Sequence, residues 1–250
     1  FSKEKLSSFP EAVQKALDRA NDLGANFLVA PEGTLQVNQV LLSPSPIPFF
    51  SGGFRWVNGR QRSSLLFFDQ GKKSHSIAVD KHRLVPLGEW VPNWPNLSLK
   101  GLSAVGGLES GDSSRLLIWP GPNLAAAICY ELSDGYALAE AVEGGAEWIL
   151  AIANLDPYPL SLQRQYVSLA QLRSIENARD LISVANTGPS LLVLASGEVQ
   201  SVIPPFIEGI GLAELHRNKE ITGYTRWREV PLVCLLLFAC LGLAWLRKSL

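Results

Sequence analysis

The chain has 250 residues, 47% apolar and 18% charged, enough for a large buried core, which excludes disorder for most of its length. Its 22 basic and 23 acidic residues leave a formal net charge of -1, and the basic ones are scattered, so no nucleic-acid partner is expected. Three cysteines without zinc-ligand spacing exclude a disulfide framework, and no cofactor or metal is expected.

Taken in order, the chain begins at Phe1 and contains no methionine, and it is read as lacking an upstream part. Val13, Ala16, Leu17, Ala20 and Leu23 recur at helical spacing, predicting an amphipathic helix over residues 10–23 that Gly24 stops. A strand then runs into Glu32. Pro44, Pro46 and Pro48 forbid a helix or a central strand in 41–50, which reads as an exposed but greasy loop. Strand-like runs follow at 64–69 and 74–81, around a tight turn at Gln70-Gly71-Lys72, and at 115–119 and 124–129.

A helix over 137–143 leads to a strand at 148–153. The longest helical pattern is 162–179, and two further strands, 181–185 and 190–195, flank the turn Asn186-Thr187-Gly188-Pro189. This mixture predicts an α/β layered architecture. Residues 230–246 carry no charge and would span about 25 Å as a helix. Flanking Trp227 and Trp245, with Arg226, Arg228, Arg247 and Lys248, favour a transmembrane helix over a buried core helix. The short basic tail suits a cytoplasmic C-terminus.

Three apolar strands each run into one reactive side chain: a carboxylate at Glu32, an ammonium at Lys81 and a thiol at Cys129. A thiol of pKa about 8.5 is mostly protonated at neutral pH and needs a base and a cation to become a nucleophile. Glu32 is the candidate base, and Lys81 the group that stabilises the thiolate and an oxyanion. Singly, Cys129 reads as an inert core residue, Glu32 as a solvated turn and Lys81 as part of an exposed charged loop. Jointly they fit the rule that α/β sheets place their ligands beyond strand ends.

Three local words sharpen this. Val29-Ala30-Pro31-Glu32-Gly33-Thr34, Lys81-His82-Arg83-Leu84-Val85-Pro86-Leu87-Gly88-Glu89 and Ala126-Ala127-Ile128-Cys129-Tyr130-Glu131 resemble the nitrilase-like domain of the apolipoprotein N-acyltransferase family. The first and third alone would indicate only the wider nitrilase superfamily. The resemblance runs on through 171–179, 185–188 and the final apolar segment. It implies a nitrilase-like αββα sandwich over 1–225 lacking its first strand, one C-terminal transmembrane helix over 230–246 and a basic tail at 247–250.

It further implies Glu32 as general base, Lys81 as electrostatic and oxyanion partner and Cys129 as the acylated nucleophile, with Glu89, Tyr130 and Glu131 supporting them. The implied reaction moves a fatty acyl group from a membrane phospholipid, through a Cys129 thioester, to the N-terminal amine of a lipid-modified apolipoprotein. The implied location is the bacterial inner membrane, with the catalytic domain on the periplasmic side. Loops 41–50 and 90–95 would then dip into the bilayer surface. The chain departs from the family at Asn154-Leu155-Asp156-Pro157-Tyr158, Leu87 and Arg83. Two other readings are a nitrilase-type amidase or carbamoylase with water as acceptor, and a membrane-anchored binding protein in which Cys129 is structural.

Overall fold

A computed structural model describes residues 9–90, 107–156 and 158–248. Helix α1 (Phe9–Asp22) precedes a first sheet of β1 (Leu28–Leu35), β2 (Phe49–Val57), β3 (Arg60–Phe68) and β4 (Ile77–Asp80), in that spatial order. The second sheet holds β5 (Leu116–Leu117), β6 (Leu124–Ile128), β7 (Trp148–Ala153), β8 (Leu181–Ala185), β9 (Ser190–Val193) and β10 (Val199–Ile203), running from β10 at one edge to β5 at the other. Strands β6, β7 and β8 are parallel, and α2 (Gly135–Glu143) and α3 (Leu160–Asn177) make the crossovers.

Alternation along the strands explains the layering. Phe50, Leu65 and Phe67 meet Leu124, Ala126, Ile128, Trp148, Leu150 and Ile152 between the two sheets. Their neighbours Phe49, Leu66 and Phe68 turn outward onto Val13, Leu17 and Ala20 of α1. On the far face of the second sheet the small side chains of Ala125, Ala127, Ala151 and Ala153 let α2 and α3 lie close, through Leu138, Val142, Tyr166 and Ala170. Each fully buried Phe or Leu stabilises this arrangement by about 1.5–3 kcal/mol. The result is the expected four-layer αββα sandwich, and strands covered on both faces read as near-continuous apolar runs.

Two expectations need correction. Residues 41–50 are not an exposed loop: Leu41 and Ile47 are buried against α1, and Phe49 and Phe50 are wholly buried at the start of β2. The three prolines do keep 44–48 irregular, but the chain uses its apolar residues to cap the core. Glu32, expected at a strand end, sits inside β1, where the pairing with β2 shifts register between Ala30 and Leu35.

The short helix α4 (Gly223–Trp227) leads into α5 (Val230–Lys248), whose described apolar side chains are exposed, Phe238 at 76%. Among the described residues no helix is long and apolar enough to cross a membrane. Apart from Trp90, the expected interfacial loop at 90–95 lies outside the described residues, as do Pro157 and the last two residues of the basic tail.

Candidate active site

The first sheet delivers Glu32 and Lys81, and the second delivers Cys129. The break in β1 is shaped by Gly33, at φ +76°, and by a close approach of β2. A Cβ on Gly52 would lie 2.4 Å from the Glu32 Cα and 2.5 Å from the Pro31 carbonyl oxygen, so only glycine fits behind the carboxylate. Lys81 follows the last residue of β4 and is wholly buried. Cys129 follows β6 and opens a one-turn 3-10 helix, Cys129–Ser133, in the left-handed region at φ +54°. A non-glycine residue there is strained by about 1–3 kcal/mol, as is common at functional sites.

The charged groups meet directly. Lys81 Nζ donates to Glu32 Oε1 at 3.0 Å and to Glu89 Oε1 at 2.6 Å. The second Glu32 oxygen accepts the Asn154 backbone N–H at 3.0 Å, and the Ser63 hydroxyl donates to Oε1 at 3.3 Å. Glu89 Oε2 accepts the Val85 N–H at 2.8 Å, which ties the Leu84-Val85-Pro86 loop to the carboxylate that holds the lysine. Two carboxylates therefore bracket one buried ammonium, and Glu32 stays fixed by bonds that do not involve it.

Cys129 lies within the field of all three. Burial raises its thiol pKa most; the Glu32 charge raises it further, Lys81 opposes this, Glu89 adds to it, and a backbone hydrogen bond from Tyr130 opposes it again, leaving about 12. The resting group is a thiol. Burial works against the Lys81 ammonium, yet Glu32, Cys129 and Glu89 outweigh it and hold the lysine pKa above its ordinary value. A cation that keeps its charge beside a protonated thiol and a fixed carboxylate suits nucleophilic attack coupled to proton transfer.

All six candidate residues fall in this region, with different duties. Glu89 is an ion partner of Lys81. Tyr130 is largely exposed and reaches the thiol through its backbone. Glu131 is buried and touches neither Glu32 nor Lys81 through its side chain; it accepts the backbone N–H groups of Ile128, His82 and Arg83 at 2.9, 2.6 and 3.1 Å. Ser63 and Arg115 escaped sequence reasoning, and Asn154 entered it only within the segment that departs from the family pattern, not as a partner of Glu32. Asn154 contributes a main-chain N–H, which any residue but proline supplies, although its side chain also accepts from Asn186 Nδ2 at 2.7 Å. The available signal was the pair of polar residues closing β7 and β8 in step.

Beside the thiol, Tyr158 packs against the cluster that contains Cys129, and burial first, then the Cys129 charge, raises its pKa. Tyr166 is fully buried in the same cluster, and the same two causes raise its hydroxyl well above its ordinary value. Among the described residues no group of three or more His, Cys, Asp or Glu side chains is arranged to hold a metal ion.

No family model matches the chain. The fold is similar to that of an amidase of the nitrilase superfamily from Nesterenkonia, with 15% identity, a TM-score of 0.61 and coverage of 81% of this chain and 82% of that one. It is also similar to the C. elegans NitFhit protein, at 15% identity and TM-score 0.61 over 80% of this chain and 55% of that one. The sandwich thus shares its fold with these proteins.

Sequence narrows this further. A protein named apolipoprotein N-acyltransferase from Prochlorococcus marinus is 63% identical over 247 residues, covering 99% of this chain and 50% of the relative. One of the same name from Thermosynechococcus vestitus is 30% identical over 266 residues, covering 99% and 51%. Over nearly its whole length the chain is similar to these proteins, and it spans about half the length of the curated relatives it matches.

Proposed function

We propose that this chain carries the acyl-transfer chemistry of an N-acyltransferase, with Glu32, Lys81 and Cys129 as its catalytic residues. The Cys129 sulfur attacks the ester carbonyl of a membrane phospholipid while Glu32 takes the thiol proton. Lys81 Nζ stabilises the oxyanion. Collapse of the tetrahedral intermediate breaks the ester C–O bond, Glu32 returns the proton to the leaving oxygen, and a lysophospholipid departs from the Cys129 thioester. The N-terminal amine of a lipid-modified apolipoprotein then attacks the thioester, losing its proton to Glu32, and the thiol is restored. Glu89, Tyr130 and Glu131 support this set.

The observation that carries the reading is the buried Glu32–Lys81–Glu89 cluster acting on the Cys129 thiol, in a chain whose relatives bear an acyltransferase name. Residues 1–225 form the catalytic unit in this reading. Residues 230–246 hold the unit to the bacterial inner membrane, with the sandwich on the periplasmic side. Supporting this are the exposed, uncharged run on α5 and the tryptophans at its two ends, a pattern that water alone leaves unsatisfied.

The test is intact mass measurement after incubation with phospholipid vesicles. A fatty acyl increment on the parent chain, mapped to Cys129 and absent from Cys129→Ser, is the expected result. Absence of a lipid adduct together with turnover of a small amide would overturn it in favour of a water-using amidase.

A further inference from the structure

The Arg115 guanidinium is almost wholly buried, and no step of the proposed chemistry uses it. Both of its terminal nitrogens donate to the Asp80 carbonyl, each at 3.0 Å. Nη1 also donates to both Glu131 oxygens, at 2.8 and 3.0 Å; Nη2 donates to the Asp112 carbonyl, and Nε to the Ser113 carbonyl at 3.3 Å. Its own carbonyl accepts the Ala126 N–H at 2.8 Å, anchoring it to β6. Glu131 in turn accepts the N–H groups of His82, Arg83 and Ile128.

These bonds bracket two reacting residues at once. Arg115 holds the carbonyl just before Lys81, and its partner Glu131 holds the N–H just after it. Glu131 also holds the N–H just before Cys129 and lies on the strained turn that the cysteine opens. Lys81 comes from one sheet and Cys129 from the other, so this pair of side chains bridges the two sheets where the chemistry is placed. The planar fork of this arginine serves three carbonyls and a carboxylate together, more than the three donors of a lysine ammonium can reach.

We propose that Arg115 is a positioning residue that sets the reach between the Lys81 ammonium and the Cys129 thiol. The proposal rests on the Glu32–Lys81–Cys129 reading. Arg115 also supplies the positive charge that balances the Glu131 carboxylate on the cysteine's own turn. The charges that act most strongly on the thiol itself are Glu32, Lys81 and Glu89.

The experiment follows alkylation of Cys129 by iodoacetamide in the full chain, from neutral to alkaline pH, alongside thioester formation from phospholipid. Arg115→Met leaves Glu131 without its cation, so the alkylation profile moves to higher pH and the rate at a fixed pH falls roughly tenfold for each pH unit of displacement. Arg115→Lys restores the charge but not the fork, so its profile returns toward the parent while thioester formation stays slow. Adding Glu131→Gln to Arg115→Met removes the unbalanced charge and brings the profile back down.

Parental profile and thioester rate in a folded Arg115→Met protein would overturn the proposal. If that variant does not fold, a parental thioester rate in Arg115→Lys overturns it equally. Failure of the underlying reading looks different: the parent then shows no lipid thioester at all, whatever Arg115 does to alkylation.

Discussion

Glu32→Gln separates two effects that a simple loss of function would confound. The amide nearly preserves shape and keeps an oxygen for the Asn154 N–H, but it removes one of the two carboxylates facing Lys81. After burial, the Glu32 charge is the largest influence raising the Cys129 pKa, so the variant lowers that value from about 12 toward the ordinary 9.0. Alkylation at alkaline pH should therefore speed up. Acyl transfer should slow by about 10²–10⁴-fold, because an amide neither takes the thiol proton nor returns one to the leaving oxygen.

Stability changes less than the loss of a buried pair normally implies. Breaking such a pair costs about 3–5 kcal/mol when it leaves a charge alone. Glu89, at 2.6 Å, still holds Lys81, so a cost of about 1–3 kcal/mol is expected. The assays are urea unfolding, iodoacetamide kinetics against pH, and mass-detected thioester formation. Slower alkylation, or thioester formation within about tenfold of the parent, would refute Glu32 as the base.

Lys81→Met removes the cation between Glu32 and Glu89; thioester formation should fall by about 10²–10³-fold, and urea unfolding should show a loss of about 3–5 kcal/mol as two carboxylates lose their partner. Gly52→Ala drives a methyl group into the backbone at Pro31 and Glu32, so scanning calorimetry should record a destabilisation of about 1–3 kcal/mol and thioester formation should slow with it. The Cys129 pKa, 9.0 ordinarily and about 12 in the folded chain, predicts alkaline destabilisation. The unfolded chain loses the proton first, so stability is full below about pH 9 and declines toward pH 12, by at most about 4 kcal/mol. Raised Lys81 adds a loss of the same sign that sets in above its ordinary value of 10.5 and so overlaps the upper part of this window, and Cys129→Ala should flatten the thiol part of the curve measured by urea titration. Deleting 230–250 should abolish flotation with phospholipid vesicles; unchanged flotation would remove α5 as the anchor.

The central strands were legible because they are covered on both faces. Leu124–Ile128 and Trp148–Ala153 are apolar throughout, and their small and large residues sort onto opposite sides. Strand β2 was not legible, since its start lies behind three prolines and its middle is Gly52-Gly53, chosen for closeness to β1 rather than for strand propensity. Strand β10 has an exposed, polar stretch at Gln200-Ser201 and so lacks a buried period. Glu32, Lys81 and Cys129 were readable as reactive groups after apolar runs. Glu131 was read only through the family resemblance and Arg115 not as a site residue at all, because both work largely by hydrogen bonds to main-chain groups, several of them far away in sequence, and such bonds leave no periodic trace.

The raised thiol pKa bears on how one carboxylate can serve both halves of the proposed cycle. A resting thiol near 12 offers almost no free thiolate at neutral pH, so attack waits until an ester carbonyl sits against the sulfur and Glu32 can take the proton in the same step. When Glu32 passes that proton to the departing lysophospholipid oxygen it becomes a carboxylate again. The incoming α-amine attacks as the free base, present in part at neutral pH because its ordinary pKa is about 7.7–8.0, and it sheds one N–H proton as its nitrogen bonds to the thioester carbon. Glu32 is then in the state needed to accept it, and Lys81, still charged between its two carboxylates, faces the second oxyanion as it faced the first. The thiol needs its proton back when the thioester C–S bond breaks, and Glu32 now holds one. The proton count therefore closes with a single base.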